Sequence, residues 1–223
     1  MLVRRPLSSW LVSRHAAITC RLSREVMPIT TASLGAALPL TSDVDRRTGI
    51  TACGHVRIAP CELASKGLGA FAAHCMEPPF ELGQYKGEIL TLADLINRYG
   101  AGGVDEQDEF EAANRQAAWL AEREARGVGV TGNYLFNVGK CPHTRRTLLV
   151  DAEDHADANW TRYINHSTKR ANLVAEREVA ADPDGVRGVP IVRFVVSAPI
   201  DAGAELLFDY GDGFDVDLMG FED

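Results

Sequence analysis

The sequence predicts a mainly β domain with short helices, an α+β fold of several small sheets with one inserted helix near residues 108–126. Two observations indicate this class: short β-type runs recur along the chain, and Gly, Pro and Asp separate them. Many short strands with few helices favour compact small sheets over a parallel, doubly wound sheet. The runs are residues 56–58, 69–71, 134–136, 148–150, 172–174, 191–196 and 205–208.

One segment has helical spacing instead. Between Asp108 and Gly127, apolar residues recur every three or four positions and two Glu–Arg pairs stand four residues apart. Gly127 follows as a predicted C-cap. We interpret this helix as an inserted surface element whose charged residues form a solvated face. The apolar positions are Phe110, Ala113, Ala117 and Leu120, and the pairs are Glu111–Arg115 and Glu122–Arg126.

Composition bounds the possible partners. A chain of 223 residues with 46% apolar content suits one domain and a tail. Charged residues interrupt every hydrophobic run before the roughly 18 residues that a membrane span needs, so we expect no membrane contact. Residues 1–50 carry seven Lys and Arg against three Asp and Glu, whereas residues 51–223 carry 16 against 28. Because an acidic body attracts basic partners and repels phosphates, we expect no direct nucleic acid binding.

The five cysteines contain no C-x-x-C pair and are widely spaced, which suits neither a disulfide framework nor a zinc knuckle. We expect reduced, mostly buried thiols. Cys141 and His143 resemble half of a metal site, but no second pair stands at ligand spacing, so no metal is expected. The cysteines are Cys20, Cys53, Cys61, Cys75 and Cys141.

The N-terminal segment, residues 1–54, is predicted to be a transit peptide or a disordered basic tail. Five arginines and four serines precede Glu25 without any acidic residue, which is typical of an organelle transit peptide. The stretch that follows, to Gly54, is rich in Pro, Thr and Ser and is typical of a linker. Folded structure is expected to begin near His55, and residues 216–223 are expected to form a C-terminal tail.

A glycine motif favours a different class of site. Residues 67–72 match G-x-G-x-x-A, and Glu88 lies 21 residues after Gly67, as in a dinucleotide-binding fold. That fingerprint needs a strand before the first glycine and a long helix after the last. Residues 62–66 are mostly polar and Pro78-Pro79 soon stops any helix, so we set a nicotinamide oxidoreductase aside.

Four motifs occur in one order, and together they are specific: the glycine turn 67–69, Gln84–Glu88, Arg162–Ser167 and Glu205–Gly211. In this combination the sequence resembles the SET-domain protein lysine methyltransferases over residues 55–215. The resemblance implies a SET-type fold in which the Asn-His segment and the C-terminal Tyr segment lie side by side through a knot-like threading of the chain.

The resemblance also implies the functional residues. S-adenosyl-L-methionine is the implied cofactor, with Asn165 holding its amino acid end and His166 its adenine. Tyr210 is the implied catalytic residue, and Tyr134 and Phe208 are implied as walls of a lysine channel. The other implied cofactor residues are Lys66, Gly67, Leu68, Gly69, Tyr85, Arg162 and, just past the last motif, Phe214.

The predicted function is therefore S-adenosylmethionine-dependent methylation of lysine in a histone or another basic protein tail, with di- or trimethyl products because residue 208 is phenylalanine. Two alternatives stay open: an organellar, non-histone lysine methyltransferase, and a catalytically silent SET module that binds peptide. A histone substrate would place the protein in the nucleus, and a transit peptide in a mitochondrion or plastid. No cysteine follows Tyr210, so a zinc-bound closing flap of the kind many family members carry is not expected.

Overall fold

The computed structural model describes residues 40–62, 66–99, 106–181 and 188–211, all within one compact unit that spans residues 32–223. These residues contain ten strands, two α-helices and a 3₁₀ helix. The strands are Val56–Pro60 (β1), Leu68–Ala72 (β2), Glu81–Gln84 (β3), Glu88–Thr91 (β4), Leu135–Lys140 (β5), Thr147–Asp151 (β6), Asn165–His166 (β7), Leu173–Ala181 (β8), Gly188–Val196 (β9) and Leu207–Phe208 (β10). The helices are Leu92–Tyr99 (α1), Glu106–Arg126 (α2) and the 3₁₀ helix Trp160–Tyr163.

The strands form three small sheets, which confirms the predicted fold class. β1 pairs with β2, β4-β6-β5 form an antiparallel sheet, and the largest sheet has the order β3-β9-β8-β10-β7. β10 lies parallel to both β7 and β8, so strands far apart in sequence become neighbours. The expected side-by-side placement of the two motifs is therefore present, while the knot-like threading stays a prediction.

The core is centred on β9, where Val192, Phe194 and Val196 alternate inward and are at most 1% exposed. β1 and β2 contribute Val56, Ile58 and further small apolar residues to the same cluster. Strand side chains alternate between the two faces, so one face of each strand can be wholly apolar. Burial of this surface supplies the main stabilising free energy of the fold, at about 25 cal/mol per Å².

The predicted inserted helix is confirmed as α2, and Gly127 ends it with a φ of +65°. Its interpretation as a purely solvated charged element is wrong, because Arg123 is only 3% exposed and contacts the carboxylates of Glu88 and Asp151. A charge on α2 thus points into the domain, where a buried carboxylate compensates it.

The sequence prediction missed α1. Thr91 and Asp94 cap its first turn reciprocally: the Asp94 carboxylate accepts a hydrogen bond from the Thr91 amide (2.9 Å), and the Asp94 amide donates to the Thr91 hydroxyl (3.2 Å). This is a capping box with aspartate at its fourth position. The local T-x-x-D pattern was therefore the available signal.

The predicted start of folded structure near His55 is wrong. Leu40 and Val44 belong to the core cluster, and Val44 forms a β-bridge with Thr51. The Tyr163 hydroxyl accepts a hydrogen bond from the Thr41 amide at 3.2 Å. In residues 40–54, the described part of the predicted linker, tight turns hold apolar residues on the domain.

Exposure of the cysteines also differs from expectation. Of the four cysteines within the described ranges, Cys53 and Cys75 are exposed, while Cys61 and Cys141 are partly buried. The expectation of mostly buried thiols is therefore wrong for these positions. Among the described helices, none is long and apolar enough to cross a membrane.

Candidate active site

Two short strands bring the predicted site residues together. β7 and β10 run parallel with Leu207 opposite Asn165 and Phe208 opposite His166. Ser167 continues this pairing, since its amide donates a hydrogen bond to the Phe208 carbonyl at 3.2 Å. The Arg162–Ser167 motif and the Glu205–Gly211 motif therefore form one structural unit.

Tyr210 lies at the end of this unit and is fixed at two points. Its hydroxyl donates to the carbonyl of Ile164 at 2.8 Å, and its backbone amide donates to Nδ1 of His166 at 3.1 Å. Burial, reinforced by Tyr134 and Glu205, raises the pKa of Tyr210 well above its usual value of 10. The group is therefore a neutral phenol at physiological pH.

An aromatic cluster adjoins Tyr210 through Phe208. The rings of Phe208 and Tyr210 have centroids 4.5 Å apart, and Phe208 also meets Phe194 at 4.8 Å and Phe136 at 5.7 Å. Phe208 is 5% exposed, so it contributes to the core as well as to the surroundings of Tyr210. Such a cluster excludes water and favours neutral over charged groups.

Tyr85, Tyr134 and Arg162 form a second group beside this cluster. The Tyr85 hydroxyl donates to the Tyr134 carbonyl at 2.8 Å, and the Tyr85 ring lies 5.4 Å from that of Phe136. The Arg162 guanidinium lies 4.1 Å above the Tyr134 ring and donates to the Glu153 carbonyl at 3.1 Å. A cation over an aromatic face at this distance is attractive and holds both side chains in place.

The glycine turn before β2 adjoins the site at Asn165. Gly67 has a φ of +67°, and its carbonyl accepts a hydrogen bond from the Cys61 amide, which closes the turn before β2. Leu68 then offers its carbonyl to the side-chain amide of Asn165 at 3.4 Å. Lys66, Gly67 and Leu68 thus lead directly to Asn165.

At Gly69 the absence of a side chain serves the protein itself. A Cβ there would stand 2.7 Å from the Cys61 sulfur, 2.8 Å from Oε1 of Glu205 and 3.2 Å from Nδ2 of Asn165. The glycine is needed because these three side chains fill the space beside it. The sequence interpretation, which assigned Gly69 to the cofactor site, did not foresee this cluster.

The sequence analysis assigned no role in the site to three residues of this region. Glu205 was quoted within the last motif without a role, and Cys61 was assigned only to the set of thiols. Asn172 bridges β10 through its side chain, accepting from the Leu207 amide at 2.9 Å and donating to the Glu205 carbonyl at 2.8 Å. Phe214 lies outside the described residues.

Glu88 has a structural role that differs from the one its spacing suggested. Its carboxylate accepts hydrogen bonds from both terminal guanidinium nitrogens of Arg98, at 2.6 and 2.7 Å. The glycine turn runs into strand β2 and not into a helix, so a dinucleotide site is contradicted. Within the described ranges, no cluster of three or more His, Cys, Asp or Glu side chains is arranged to hold a metal ion.

Comparison with known proteins gives consistent matches. The family model described as the SET domain matches residues 67–211. N-lysine methyltransferase KMT5A-A of Danio rerio is 29% identical over 154 residues, which cover 67% of this chain and 34% of that protein. The chain thus spans about a third of the length of this curated relative.

Solved structures match as well. A chain of the polycomb repressive complex 2 of Chaetomium thermophilum is 25% identical with a TM-score of 0.46, covering 71% of this chain and 15% of that one. The same complex in an autoinhibited conformation bound to S-adenosylmethionine is 25% identical with a TM-score of 0.44, covering 71% and 15%. CpSET8 of Cryptosporidium is 21% identical with a TM-score of 0.46, covering 73% and 61%.

Proposed function

Since the chain belongs to the SET-domain family, we propose that it is an S-adenosylmethionine-dependent protein-lysine N-methyltransferase. One observation carries the proposal: the Tyr210 hydroxyl is held on the Ile164 carbonyl at 2.8 Å, beside the paired strands of Asn165-His166 and Leu207-Phe208. A fixed hydroxyl and a backbone carbonyl that lie together in an aromatic surrounding form a site that can align an amine for methyl transfer. The similarity to N-lysine methyltransferase KMT5A-A supports the same reaction.

The residues present fit the cofactor. Apart from Gly67 and its two chain neighbours, no described residue has an atom within 4 Å of the position that a Cβ on Gly67 would take, so the turn before β2 is open to a ligand. We infer that Lys66–Gly69, Asn165 and His166 would hold S-adenosylmethionine, with Tyr85 and Arg162 fixing the adjoining wall through Tyr134. When bound, this cofactor supplies a methyl group on a positively charged sulfur.

The chain's own contribution is orientation and desolvation. A lysine amine has a pKa near 10.4 in water and must be neutral to attack, and burial among the rings of Phe136, Phe208 and Tyr134 favours the neutral form. Because its pKa is raised, Tyr210 is almost entirely a neutral phenol near neutral pH, and so little phenolate is present to accept a proton. It therefore acts by orienting the amine, and the rate comes mainly from alignment in a water-excluding site.

The proposed products and substrate follow from Phe208 and from the acidic charge of residues 51–223. A phenylalanine at position 208 holds a neighbouring water less firmly than a tyrosine would, and a displaceable water leaves room for added methyl groups, which favours di- and trimethyl-lysine. The excess of acidic residues in 51–223 favours a basic, lysine-containing protein segment such as a histone tail. The alternatives are an organellar substrate, which the basic, serine-rich N-terminus favours, and a silent peptide-binding module.

The test is methyl transfer by the full-length chain from radiolabelled S-adenosylmethionine, onto histones and in parallel onto an organelle extract. The full chain is needed because a fragment that begins at residue 50 would lose the buried Leu40 and Val44. We expect labelled lysine in one of the two substrates. Cofactor binding without transfer to any protein would favour the silent module, and a folded protein without cofactor binding would overturn the proposal.

A further inference from the structure

The Asn165 side chain is held by a cluster that no sequence motif predicted. Its amide nitrogen donates to Oε1 of Glu205 at 2.9 Å, and it also lies 3.2 Å from the Cys61 sulfur and 3.4 Å from the Leu68 carbonyl. An amide nitrogen is a donor only, whereas the amide oxygen is an acceptor only. Because the carboxylate and the carbonyl are acceptors, they fix which end of the Asn165 amide faces them.

Glu205 is itself firmly placed. Its backbone forms a β-bridge with Phe71, and its carbonyl accepts from the Asn172 side chain at 2.8 Å. The Cys61 thiol donates to the same carboxylate oxygen at 3.4 Å. Burial and the nearby Glu205 carboxylate raise the pKa of Cys61 to about 12, so this sulfur keeps its proton and its hydrogen bond. The absence of a side chain at Gly69 leaves room for all three groups.

We propose that Glu205 is a positioning residue that turns the Asn165 amide so that its carbonyl oxygen faces the ligand, and that the site thereby selects the ammonium group of the amino acid end. No described residue donates a hydrogen bond to that oxygen, which leaves it available as an acceptor. An ammonium has three N–H donors and no acceptor, so it matches a carbonyl oxygen, whereas a carboxylate does not. This inference rests on the proposed function, since it assigns the ligand's ammonium to Asn165.

The experiment measures binding by calorimetry with the full-length chain. The probes are S-adenosylhomocysteine, which carries the ammonium, and its desamino analogue, which lacks it. Glu205→Leu removes the acceptor, and Glu205→Gln keeps an oxygen that can face Asn165. Glu176→Leu is the matched control, since Glu176 is an exposed carboxylate on β8.

We expect Glu205→Leu to weaken S-adenosylhomocysteine about tenfold to a hundredfold, the range for losing one hydrogen bond to a charged group, while the desamino analogue changes less than about threefold. Glu205→Gln and Glu176→Leu should bind both probes nearly as the native protein does. Equal weakening of both probes by Glu205→Leu, or no weakening of either, would overturn the role of Glu205. Native protein that binds neither probe would overturn the proposed function instead, so the two failures are distinguishable.

A second pair of variants tests the contact between Asn165 and Glu205 even if Glu205→Leu does not fold. Asn165→Asp places two carboxylates against each other and should weaken S-adenosylhomocysteine at least about tenfold, because like charges in contact repel. Adding Glu205→Gln supplies a donor to the new aspartate and leaves its second oxygen for the ammonium. We expect the double variant to recover most of the affinity. A double variant as weak as Asn165→Asp alone would contradict the pairing.

Discussion

The surroundings of Tyr210 and the surface where α1 and α2 pack on β4 and β6 (the docking region) differ in the kind of side chain that forms them. Beside Tyr210, aromatic rings pack on Phe208 with centroids 4.5 to 5.7 Å apart. Where α1 and α2 dock on β4 and β6, charges converge instead: Arg98 and Arg123 reach Glu88, and Arg123 and the Tyr99 hydroxyl reach Asp151. The guanidinium groups of Arg98 and Arg123 lie 5.7 and 5.2 Å from the centroid of the Trp119 ring.

We infer from this difference that the two regions have separate roles. An aromatic, water-poor surrounding lowers the cost of holding a neutral amine and raises the pKa of the Tyr210 phenol, which serves the proposed chemistry. Buried ion pairs add little net stability over apolar packing, but they specify one geometry, because a displaced helix would leave the buried Asp151 carboxylate without its cation. Changes in the first region should therefore alter turnover, and changes in the second should alter stability.

The largest expected effect is on turnover. Tyr210→Phe removes the hydroxyl that lies on the Ile164 carbonyl and should lower kcat about 100- to 1000-fold, as the loss of one oriented hydrogen-bond donor does elsewhere. Cofactor affinity should stay within a few fold. The matched control is Tyr99→Phe, which removes a phenol hydroxyl bound to Asp151 in the docking region. Steady-state kinetics that show equal losses in both variants would contradict the separation of tasks.

The second effect is on stability. Arg123→Met leaves the Asp151 carboxylate, which is fully buried, without its cation, and should lower the free energy of unfolding by about 3 kcal/mol. The same substitution at Arg115, which is on the same helix and pairs with Glu111 at the surface, should change it by less than about 0.5 kcal/mol. Urea unfolding of the three proteins measures both. Similar losses in the two variants would mean that Arg123 is no more buried in solution than Arg115.

These two regions also differ in what the sequence could reveal. Asn165, His166, Phe208 and Tyr210 stand in two short motifs, and the resemblance correctly implied that these segments meet. The docking region has no such signal, because its charges are scattered from Glu88 to Asp151 and only the folded chain brings them together. Helical periodicity predicted α2 but could not show that Arg123 points inward, since a charged residue is exposed by default.

The Glu205 cluster illustrates a third case. Its members come from the loop before β2, from β7 and from the segment before β10, so their contact depends on the register of three elements. The sequence interpretation identified Asn165 and Gly69 but gave both to the ligand. The structure shows that part of their chemistry is directed at each other, which a linear motif does not record.

A smaller effect is expected on the products. Phe208→Tyr adds a hydroxyl beside Tyr210, whose ring centroid is 4.5 Å away, and should hold a water more firmly where added methyl groups need room. Intact-mass analysis of a peptide substrate should show di- or trimethyl-lysine with the native chain and mainly monomethyl-lysine with the variant. A native enzyme that stops at one methyl group under excess cofactor would refute the role of Phe208.

The smallest effect is a contrast in pH dependence. Hydrogen bonds from Arg98 lower the pKa of Glu88 below its usual 4.5, so its contribution to stability is present above that pH and is lost as the pH falls through the lowered value. Because Glu88 is more than a third exposed, solvent screening makes this contribution small. The raised pKa of Tyr210 acts in the opposite direction: its contribution is present below pH 10 and is lost as the pH rises beyond it.

Hydrogen exchange should therefore show the amides of α1 losing protection first in acid, while those around β10 lose it first in alkali. In Glu88→Gln the acid sensitivity of α1 should diminish. If the same region lost protection first in both acid and alkali, the two regions would not respond separately to pH.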